Sequence, residues 1–516
     1  MKVLLMLRDR DFDLQQAGPW NERALTQDLE LDTVLRAMAG DSEFLFEVAR
    51  KALLSGARND VATILYRQEA LKDCLQNPTV VRELYDLMVA TIERSKREWW
   101  GISGHYASSM LYSAVDLLEM SLGTLRNLKS VAEETAARFG SEAFTTLFAM
   151  LRKELGDEYL DSVQNHLTEL KFRKGVLLSA ELGEGNEGTN YTLRRSGEKE
   201  PSWLGRILGK GPPAHTFYIA DRDETGARIL SNMRYSGISR VAIALAQSAD
   251  HVLSFFKILR AELAFYVGCL NLHSKLLAKE EPVCFPTPAT AGERRHRFSG
   301  LYDVCLSLHM ERRIVGNAVN ADGKSLTIIT GANQGGKSSF LRGIGVAQLM
   351  MQSGMFVGAE SFEAELCPSL FTHYKREEDA TMKSGKFDEE LARMSEIVDH
   401  LAPDAMLLFN ESLAATNERE GSEIARQIVS GLLERRVKIF YVTHLYEFAR
   451  GFFDRKSDNT LFLRAERKAD GTRSFRLLEG EPLETSYGED LYHQIFDENA
   501  QLPNGQASGA SSVMAR

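Results

Sequence analysis

A short apolar run followed by a glycine-rich loop and a helical pattern most constrains the fold of this chain. The run at residues 326–330 leads into a loop that ends in Lys337 and Ser338, which fits the pattern GxxxxGK[ST]. In such a loop, glycines let backbone N–H groups turn towards phosphates at a helix N-terminus, where the helix dipole favours anions. The sequence therefore predicts a nucleotide-binding loop made of Gly331, Ala332, Asn333, Gln334, Gly335, Gly336, Lys337, Ser338 and Ser339.

Two residues of this loop have predicted chemical roles. Lys337 can neutralise charge on the β- and γ-phosphates, and the hydroxyl of Ser338 can bind Mg²⁺. The expected cofactors are therefore ATP and Mg²⁺. We expect the loop to connect a strand to a helix, because that context is what makes the pattern specific.

A second apolar run, at residues 406–409, ends in Asn410 and Glu411. The corresponding strand of P-loop ATPases normally ends in Asp-Glu, where the first acid holds Mg²⁺ and the second polarises the attacking water. Asn410 offers a carbonyl oxygen without a negative charge, so Mg²⁺ binding should be weaker, whereas Glu411 keeps the position of the general base. If another acid compensates for Asn410, the nearest candidates in sequence are Glu418 and Glu420.

A third predicted strand ends in Thr443 and His444. A histidine at this point can bind the γ-phosphate or the attacking water through a hydrogen bond. The predicted catalytic residues are therefore Glu411, His444 and Lys337, and the predicted metal ligands are Ser338 and Asn410. The chain contains neither HExxH nor GxSxG, the patterns typical of zinc proteases and of serine hydrolases.

The remainder of the 516-residue chain predicts a helical region that precedes the nucleotide-binding region. Apolar residues recur at three- and four-residue spacing over about residues 27–170, with a break at Gly40 and Asp41, and this is typical of a helix bundle. Strand-like patterns occur at residues 1–13, 175–182, 190–193 and 215–222, and a helical stretch at about residues 237–278. The fold class is therefore α + α/β.

The net charge and the cysteines limit which partners and which cellular compartment the sequence predicts. The net charge of −10 gives no support for nucleic-acid binding, but it does not exclude a local basic surface. The five cysteines form no CxxC pair, which indicates reduced thiols in a cytoplasmic protein. No apolar run approaches the roughly 18 to 20 residues that span a bilayer, so no membrane association is expected.

One basic segment is a candidate for a DNA contact, and the alternative interpretation is a solvated loop. It carries Arg194, Arg195, Lys199, Arg206 and Lys210.

These motifs resemble those of the MutS family. The phosphate loop is similar to the family's TGPN-x-GGKST pattern, here TGANQGGKSSFLR, and a later segment is similar to DE-x-GxGT…G, here NESLAATNEREG. Three further similarities are YVTHLYEFA to the TH-x-Y/F-E strand end, LETSYGEDLY to the SYG turn, and ILYRQEAL to the I-x-x-RQ-x-x-V segment of the MutS core domain. The resemblance is specific over about residues 313–491 and weaker over about residues 27–280.

The resemblance implies a domain order and an assembly. It implies an N-terminal strand and lead-in (1–26), a MutS-like helical core and lever domain (27–280) with a β-containing insertion at about 175–235, a linker (281–300), an ABC-type ATPase domain (301–495) and a disordered tail (496–516). In the family two ATPase domains meet in a dimer, so we expect a homodimer. The segment that reaches the partner's γ-phosphate corresponds here to Lys386, Phe387 and Glu390.

The implied function is an ATP-dependent conformational switch that acts on duplex or branched DNA. Several departures from the family pattern qualify it. Asn410 replaces an Asp, Ala414 and Ala415 replace Arg-Gly, and Gly385 and Lys386 replace Ser-Thr. The helical core begins near residue 27 and the ATPase domain ends near residue 495, so we expect neither the domain with the mismatch-recognition wedge nor the Smr nuclease domain. The alternative is a slow or inactive ATP-binding scaffold that acts on protein or RNA partners.

Overall fold

The computed structural model describes residues 1–56, 60–99, 107–173, 175–195, 216–376, 385–468 and 472–483. Over these residues the chain mixes helices and β-sheets, as the sequence predicts. Contacts within the chain divide it into two compact units. The first comprises Met1–Asp13 with Lys72–Val267, and the second comprises Leu14–Leu71 with Gly268–Arg516.

The predicted helical structure of the N-terminal region is confirmed. The helices are α1 (Glu22–Asp28), α2 (Leu31–Ala39), α3 (Glu43–Leu54), α4 (Val61–Gln76), α5 (Pro78–Trp99), α6 (Ala107–Thr135), α7 (Glu142–Glu154) and α8 (Asp157–Leu170). The break at Gly40 is also confirmed, because Gly40 has a φ of 58° and Ser42 begins α3 by accepting the Leu45 N–H with its side chain. Hydroxyl capping of this kind satisfies a free N–H at the helix start.

The predicted strand at the N-terminus is wrong. Residues 1–13 contain no strand, and the buried carboxylate of Glu262 instead accepts the N–H groups of Leu5, Met6 and Phe12 at 2.6, 3.0 and 2.7 Å. A strand needs those N–H groups for a neighbouring strand. Burial raises the pKa of Glu262 to about 7, against the lowering effect of these three donors.

The first unit also contains an antiparallel hairpin, β1 (Leu177–Leu182) and β2 (Gly188–Arg194), as predicted. The further strand predicted at residues 215–222 is absent from residues 216–222, where the side chains of Phe217 and Tyr218 are 91% and 87% exposed. A strand is stabilised by side chains packed against neighbours, and these two aromatic rings remain in solvent.

Helix α9 (Glu224–Leu277) begins 13 residues before its predicted start near Gly237, which corrects the end of the predicted β-containing insertion. Glycine disfavours helices, yet Gly226 and Gly237 both lie within α9. Packing explains why Gly237 is accommodated: a Cβ there would lie 2.3 Å from the Leu178 side chain of β1.

The second unit holds α1, α2 and α3 of the N-terminal helices, two sheets and the helices that follow α9. In chain order, the elements are β3 (Thr287–Ala289), β4 (His296–Leu301), α10 (Val304–His309), β5 (Asn317–Asn320), β6 (Leu326–Gly331), α11 (Lys337–Gln352), β7 (Ser361–Glu365), β8 (Leu370–Tyr374), α12 (Lys386–His400), β9 (Met406–Asn410), α13 (Glu418–Glu434), β10 (Lys438–Val442), α14 (Tyr446–Phe453), β11 (Thr460–Arg467) and β12 (Arg473–Glu479). The predicted alternation of strands and helices is thus confirmed as far as β12. The SYG segment and the predicted tail lie outside the described residues.

The larger sheet has the order β12–β11–β6–β10–β9–β8 and is parallel except for β12, which runs antiparallel to β11. The three motif-bearing strands β6, β10 and β9 are adjacent, and β10 is buried throughout. The carboxyl ends of parallel strands meet at one edge, where loops from α/β sheets bind ligands. This topology brings the three predicted motif ends together.

The predicted linker at residues 281–300 is wrong, because it contains β3 and part of β4. These strands belong to the smaller sheet, whose order is β3–β7–β4–β5. Strand β3 is an edge strand, which explains how it accommodates Pro288 despite the missing backbone N–H. Just before it, Cys284 and Val357 exchange backbone hydrogen bonds of 3.1 and 2.8 Å.

All five cysteines are free thiols, as predicted, and Cys284 is the one that is not fully buried. Over the part of the chain that the structure describes, no helix combines the length and the apolar character that a bilayer crossing requires.

Candidate nucleotide site

The predicted phosphate loop connects β6 to α11, in the strand–loop–helix order that its motif requires. Gly331 and Gly336 have φ angles of 106° and 86°, a left-handed conformation that glycine adopts readily. A Cβ at Gly331 would lie 2.9 Å from the backbone nitrogen of Ala465, and one at Gly335 would lie 2.7 Å from the Ala465 Cβ. Strand β11 therefore leaves no room for side chains at these positions, and the loop is held in one shape.

Lys337 is the first residue of α11 and is 5% exposed. Its Nζ donates hydrogen bonds to the carbonyl oxygens of Gly331 (2.9 Å) and Ala332 (2.8 Å). Burial lowers the pKa of Lys337 to about 8, an effect that the carboxylate of Glu411 opposes. The ammonium group is thus held inside the loop, where it can meet a bound phosphate.

Ser338 and Asn410, the two predicted metal ligands, are in contact. The Ser338 hydroxyl donates to Asn410 Oδ1 at 3.0 Å, which places the end of β9 beside the start of α11. The two acids suggested as compensation have other partners. Glu418 accepts the Tyr446 N–H at 3.0 Å, and Glu420 accepts the hydroxyl of Thr416 at 2.7 Å.

Glu411 and His444, which follow β9 and β10, are also in contact. Nε2 of His444 lies 3.1 Å from Oε1 of Glu411, and the hydrogen bond from His444 is the main reason why the pKa of Glu411 is lowered. A second cation, Lys375 Nζ, lies 4.0 Å from Oε2 of Glu411. Glu411 is therefore ionised at neutral pH, as a general base must be.

Sequence reasoning missed Lys375, although a signal for it existed. It directly follows β8, a strand of the same parallel sheet, and its N–H donates to the Asn410 carbonyl at 2.9 Å. Because the carboxyl ends of parallel strands share one edge, a basic residue after any of these strands is a candidate for the site.

A cavity of about 430 Å³ opens beside the phosphate loop. Ligand pockets of proteins commonly have volumes of roughly 300 to 1,000 Å³. The lining combines the loop residues 333–339 and Glu411 with side chains that the sequence did not indicate: Leu301, Tyr302, Leu306, Ile314, Val315 and Phe475. Phe475 lies on β12 with a φ of 60°. The Asn317 side chain binds the backbone that follows the ring: Nδ2 donates to Phe475 O (3.3 Å), and Oδ1 accepts the Leu477 N–H (2.8 Å).

These residues fit ATP and Mg²⁺ chemically. Gly331 and Gly336 let the loop turn into the start of α11, Lys337 supplies a cation, and Ser338 and Asn410 supply neutral oxygen ligands. The cavity next to them has apolar walls that suit a nucleobase.

The segment predicted to act on a partner subunit is placed differently from expectation. Glu390 is 2% exposed, and its Oε2 accepts the Leu413 N–H of the same chain at 3.0 Å. Phe387 packs against the core of the larger sheet. Both side chains thus have partners within their own chain, and the action of this segment in trans stays a prediction. Lys386, the first residue of α12, remains half-buried at the helix start.

The predicted basic surface is described in part. Arg194 Nε donates to Ser179 Oγ at 2.8 Å, and Arg195 forms an ion pair with Glu169 at 2.5 Å. Both arginines are exposed residues of the first unit. The other three residues, Lys199, Arg206 and Lys210, lie outside the described residues.

Two domain families match the chain in regions that agree with these motifs. Residues 59–279 match the MutS2 N-terminal domain, and residues 327–505 match MutS domain V. The second match includes the phosphate loop and the strand ends at Asn410 and His444.

Individual relatives show the same similarity. The chain is 30% identical over 274 residues to the DNA mismatch repair protein MutS of Leptospira interrogans, a match that covers 50% of this chain and 31% of the relative. It is 30% identical over 156 residues to the Endonuclease MutS2 of Thermus thermophilus, covering 30% and 21%. It is 27% identical over 148 residues to MutS protein homolog 4 of Mus musculus, covering 29% and 15%.

The chain spans less than a third of the length of each of these three curated relatives. Both matched domain families nevertheless carry the same family name, and the relatives share it. The chain is a member of the MutS family.

Proposed function

We propose that this chain binds ATP with Mg²⁺, hydrolyses it, and uses the cycle as a conformational switch on DNA. The observation that carries the proposal is the meeting of three strand ends at one edge of the larger sheet. There the loop after β6 holds Lys337, the end of β9 brings Asn410 to Ser338, and the end of β10 brings His444 to Glu411.

Each contact has a role in the proposed reaction. The loop amides and Lys337 bind the phosphates, and Ser338 with Asn410 would hold Mg²⁺, which supplies charge neutralisation at the phosphates. Glu411 accepts a proton from the attacking water. His444 donates to Glu411 and so keeps its carboxylate ionised and oriented. The apolar cavity walls, including Phe475, would bind the base and ribose.

DNA is the proposed partner because the relative from Leptospira interrogans is named for DNA mismatch repair. The test is the rate of ATP hydrolysis with and without duplex DNA, branched DNA and RNA. We expect duplex or branched DNA to change the rate, and we expect DNA affinity to fall steeply with salt, as phosphate contacts require. Equal rates with and without every nucleic acid, together with salt-independent binding, would reject DNA as the partner.

A second candidate function is an ATP-binding scaffold with little or no hydrolysis that acts on protein or RNA partners. Asn410 favours it, because an amide replaces the anionic residue next to Ser338. The same assay separates the two proposals. A scaffold binds ATP without measurable turnover, and RNA or a protein shifts its ATP affinity where DNA does not.

Replacing Asn410 with aspartate should lower the Mg²⁺ concentration needed for half-maximal ATP hydrolysis severalfold and raise the rate. Aspartate keeps the oxygen that accepts the Ser338 hydroxyl at 3.0 Å and adds the negative charge that Mg²⁺ prefers. The measurement is a Mg²⁺ titration of the hydrolysis rate.

The matched control for this variant is Asn459→Asp. Asn459 is exposed just before β11, at the amino ends of the parallel strands, and its Oδ1 accepts the hydroxyls of Ser457 and Thr460. Aspartate keeps these acceptors, so this change should leave the Mg²⁺ titration unaltered. Coinciding curves for the wild type and Asn410→Asp would mean that the amide does not lie at the metal.

We also propose a homodimer that ATP strengthens, with Lys386 approaching the nucleotide of the partner. Lys386 is the remaining candidate for this role, because Phe387 and Glu390 are engaged within their own chain. Sedimentation at micromolar concentration should show a dimer whose affinity rises with ATP, and Lys386→Ala should reduce that rise. A monomer with and without ATP would contradict the proposal.

A further inference from the structure

Glu390 connects helix α12 to the loop that follows the proposed catalytic base. Its carboxylate is buried, and Oε2 accepts the N–H of Leu413 at 3.0 Å. Burial raises the pKa of Glu390, and the Leu413 N–H opposes this by stabilising the charged form. Leu413 is two residues after Glu411, so the hydrogen bond acts on the turn that carries the base.

The turn needs such support, because its backbone is unfavourable for its residues. Glu411 and Leu413 have φ angles of 53° and 62°, a region in which residues other than glycine are strained. Strained backbone persists only where surrounding contacts hold it. The contacts around residues 411–413 therefore determine where the Glu411 carboxylate points.

Other contacts hold the turn from the sheet side. The Glu411 N–H donates to Val442 O at 2.9 Å, and the Tyr441 hydroxyl donates to Ser412 O at 2.9 Å. The Ser412 hydroxyl donates to the carbonyl oxygen of His373. The contact made by Glu390 differs from these, because Glu390 lies on a helix and binds the backbone at Leu413, the last residue of the turn.

Glu390 is itself fixed at its backbone. Nε2 of His373 lies 3.0 Å from the Glu390 carbonyl oxygen, and burial lowers the pKa of His373 to about 4, so the ring is neutral and Nε2 carries the proton. His373 thus makes two contacts: its carbonyl oxygen accepts the Ser412 hydroxyl, and its ring donates to α12. The position of α12 and the position of the turn are therefore coupled within one chain.

We propose that Glu390 is a positioning residue that holds Glu411 in place through the Leu413 N–H. The inference rests on the proposed hydrolysis of ATP. The Glu390 carboxylate binds the Leu413 N–H and is not among the residues that line the cavity, so its effect should fall on turnover and not on ATP binding. A displacement of about 1 Å in a catalytic group can cost on the order of 10² in rate.

The sharpest test compares Glu390→Gln with Glu390→Asp. Glutamine keeps the reach and a carbonyl acceptor but loses the charge, whereas aspartate keeps the charge but withdraws the acceptor by one methylene. Glu390→Asp should lower kcat about tenfold or more with KM and ATP affinity within about twofold, and Glu390→Gln should stay within about threefold of the wild-type kcat. The control is Asp388→Asn, an exposed residue of the same helix.

Three kinetic outcomes would overturn the proposal. These are a wild-type kcat in Glu390→Asp, an equal loss of kcat in both variants, and a rise of KM by the same factor as the fall in kcat. The first would show that the contact is unnecessary, the second that the loss of turnover does not follow the reach of the acceptor, and the third that the residue supports ATP binding.

A second measurement needs no activity and separates this inference from the proposed hydrolysis. Hydrogen–deuterium exchange, resolved to single amides, should show a protected Leu413 N–H in the wild type and in Asp388→Asn, with severalfold faster exchange in Glu390→Asp. If the wild type does not hydrolyse ATP, this pattern still supports Glu390 as the residue that holds the turn, while the proposed function fails. An unprotected Leu413 amide in the wild type would overturn the inference by itself.

Discussion

Replacing Lys337 with alanine should raise the dissociation constant for ATP by about two orders of magnitude. Hydrogen bonds to charged groups contribute about 1.5 to 3 kcal/mol each, and the upper end of this range is about a hundredfold in affinity. Lys337 Nζ already lies within the loop, at 2.9 Å from Gly331 O and 2.8 Å from Ala332 O. Calorimetric titration with ATP, under conditions without turnover, measures the change directly.

A second variant controls for folding. Both alanine and methionine remove the Nζ donor of the two loop carbonyls, but Lys337→Met keeps most of the buried apolar stem, so it disturbs the packing of the loop less than Lys337→Ala does. Both variants should lose ATP affinity, while Lys275→Ala, which changes an exposed lysine of α9, should not. ATP affinity that is unchanged in a folded Lys337→Met protein would remove this loop from the nucleotide site.

The same lysine predicts a pH dependence with a definite sign. Burial lowers the pKa of Lys337 to about 8, so its amine is mostly charged at about pH 7 and mostly neutral at about pH 9. Because only the charged form attracts phosphate, ATP affinity of the wild type should fall as the pH rises through this interval. Lys337→Met should show a flatter profile over the same interval.

Replacing Glu411 with glutamine should slow ATP hydrolysis by a factor on the order of 10² or more, and ATP affinity should change little. General-base catalysis contributes roughly 10² to 10⁴ in rate, and glutamine cannot accept a proton from water. Glutamine nevertheless keeps the shape of Glu411 and an oxygen for His444 Nε2, which lies 3.1 Å from Oε1. The measurement is single-turnover hydrolysis with saturating protein.

The matched control for Glu411→Gln is Glu418→Gln. Glu418 lies close in sequence, but its carboxylate accepts the Tyr446 N–H at 3.0 Å, so the control should hydrolyse ATP at nearly the wild-type rate. Equal turnover in Glu411→Gln and in an active wild type would place the base elsewhere.

The phosphate loop could be predicted from sequence because all of its determinants are local. The β-branched run, the glycines, Lys337 and the following helical pattern lie within about 30 residues, and each specifies its own conformation. The contacts of Ser338 with Asn410 and of Glu411 with His444 could also be predicted, but for a different reason. Once the strands are taken as parallel, their carboxyl ends meet at one edge.

The failures of prediction involve partners that are distant in sequence. The N-terminal segment has a strand-like composition, but Glu262, some 250 residues later, binds its N–H groups. The segment around Pro288 has the composition of a linker, but it forms the edge strand β3, which pairs with β7. In both segments, a contact with residues distant in sequence overrides the local secondary-structure propensity, and no pattern within the segment indicates that contact.

Glu390 shows the limit of transferring a role by resemblance. The motif comparison assigned it to the partner's nucleotide, whereas its side chain is 2% exposed and binds Leu413. Sequence similarity singled out Glu390, but it carries no information on the direction in which the side chain points. Phe475 of the cavity had no signal in the sequence, because it lies on an edge strand without a motif.

The close approach of β11 to the phosphate loop bears on how the chain matures during synthesis. Strand β6, which precedes the loop, pairs with β10 and β11, and both are made more than a hundred residues later. Ala465 lies against Gly331 and Gly335, so the loop is not enclosed on this side until β11 has paired with β6. Because this pairing closes a span of more than a hundred residues, it carries an entropic cost and is expected late in folding. A ligand of the proposed phosphate site would therefore stabilise only those molecules in which β11 is already in place.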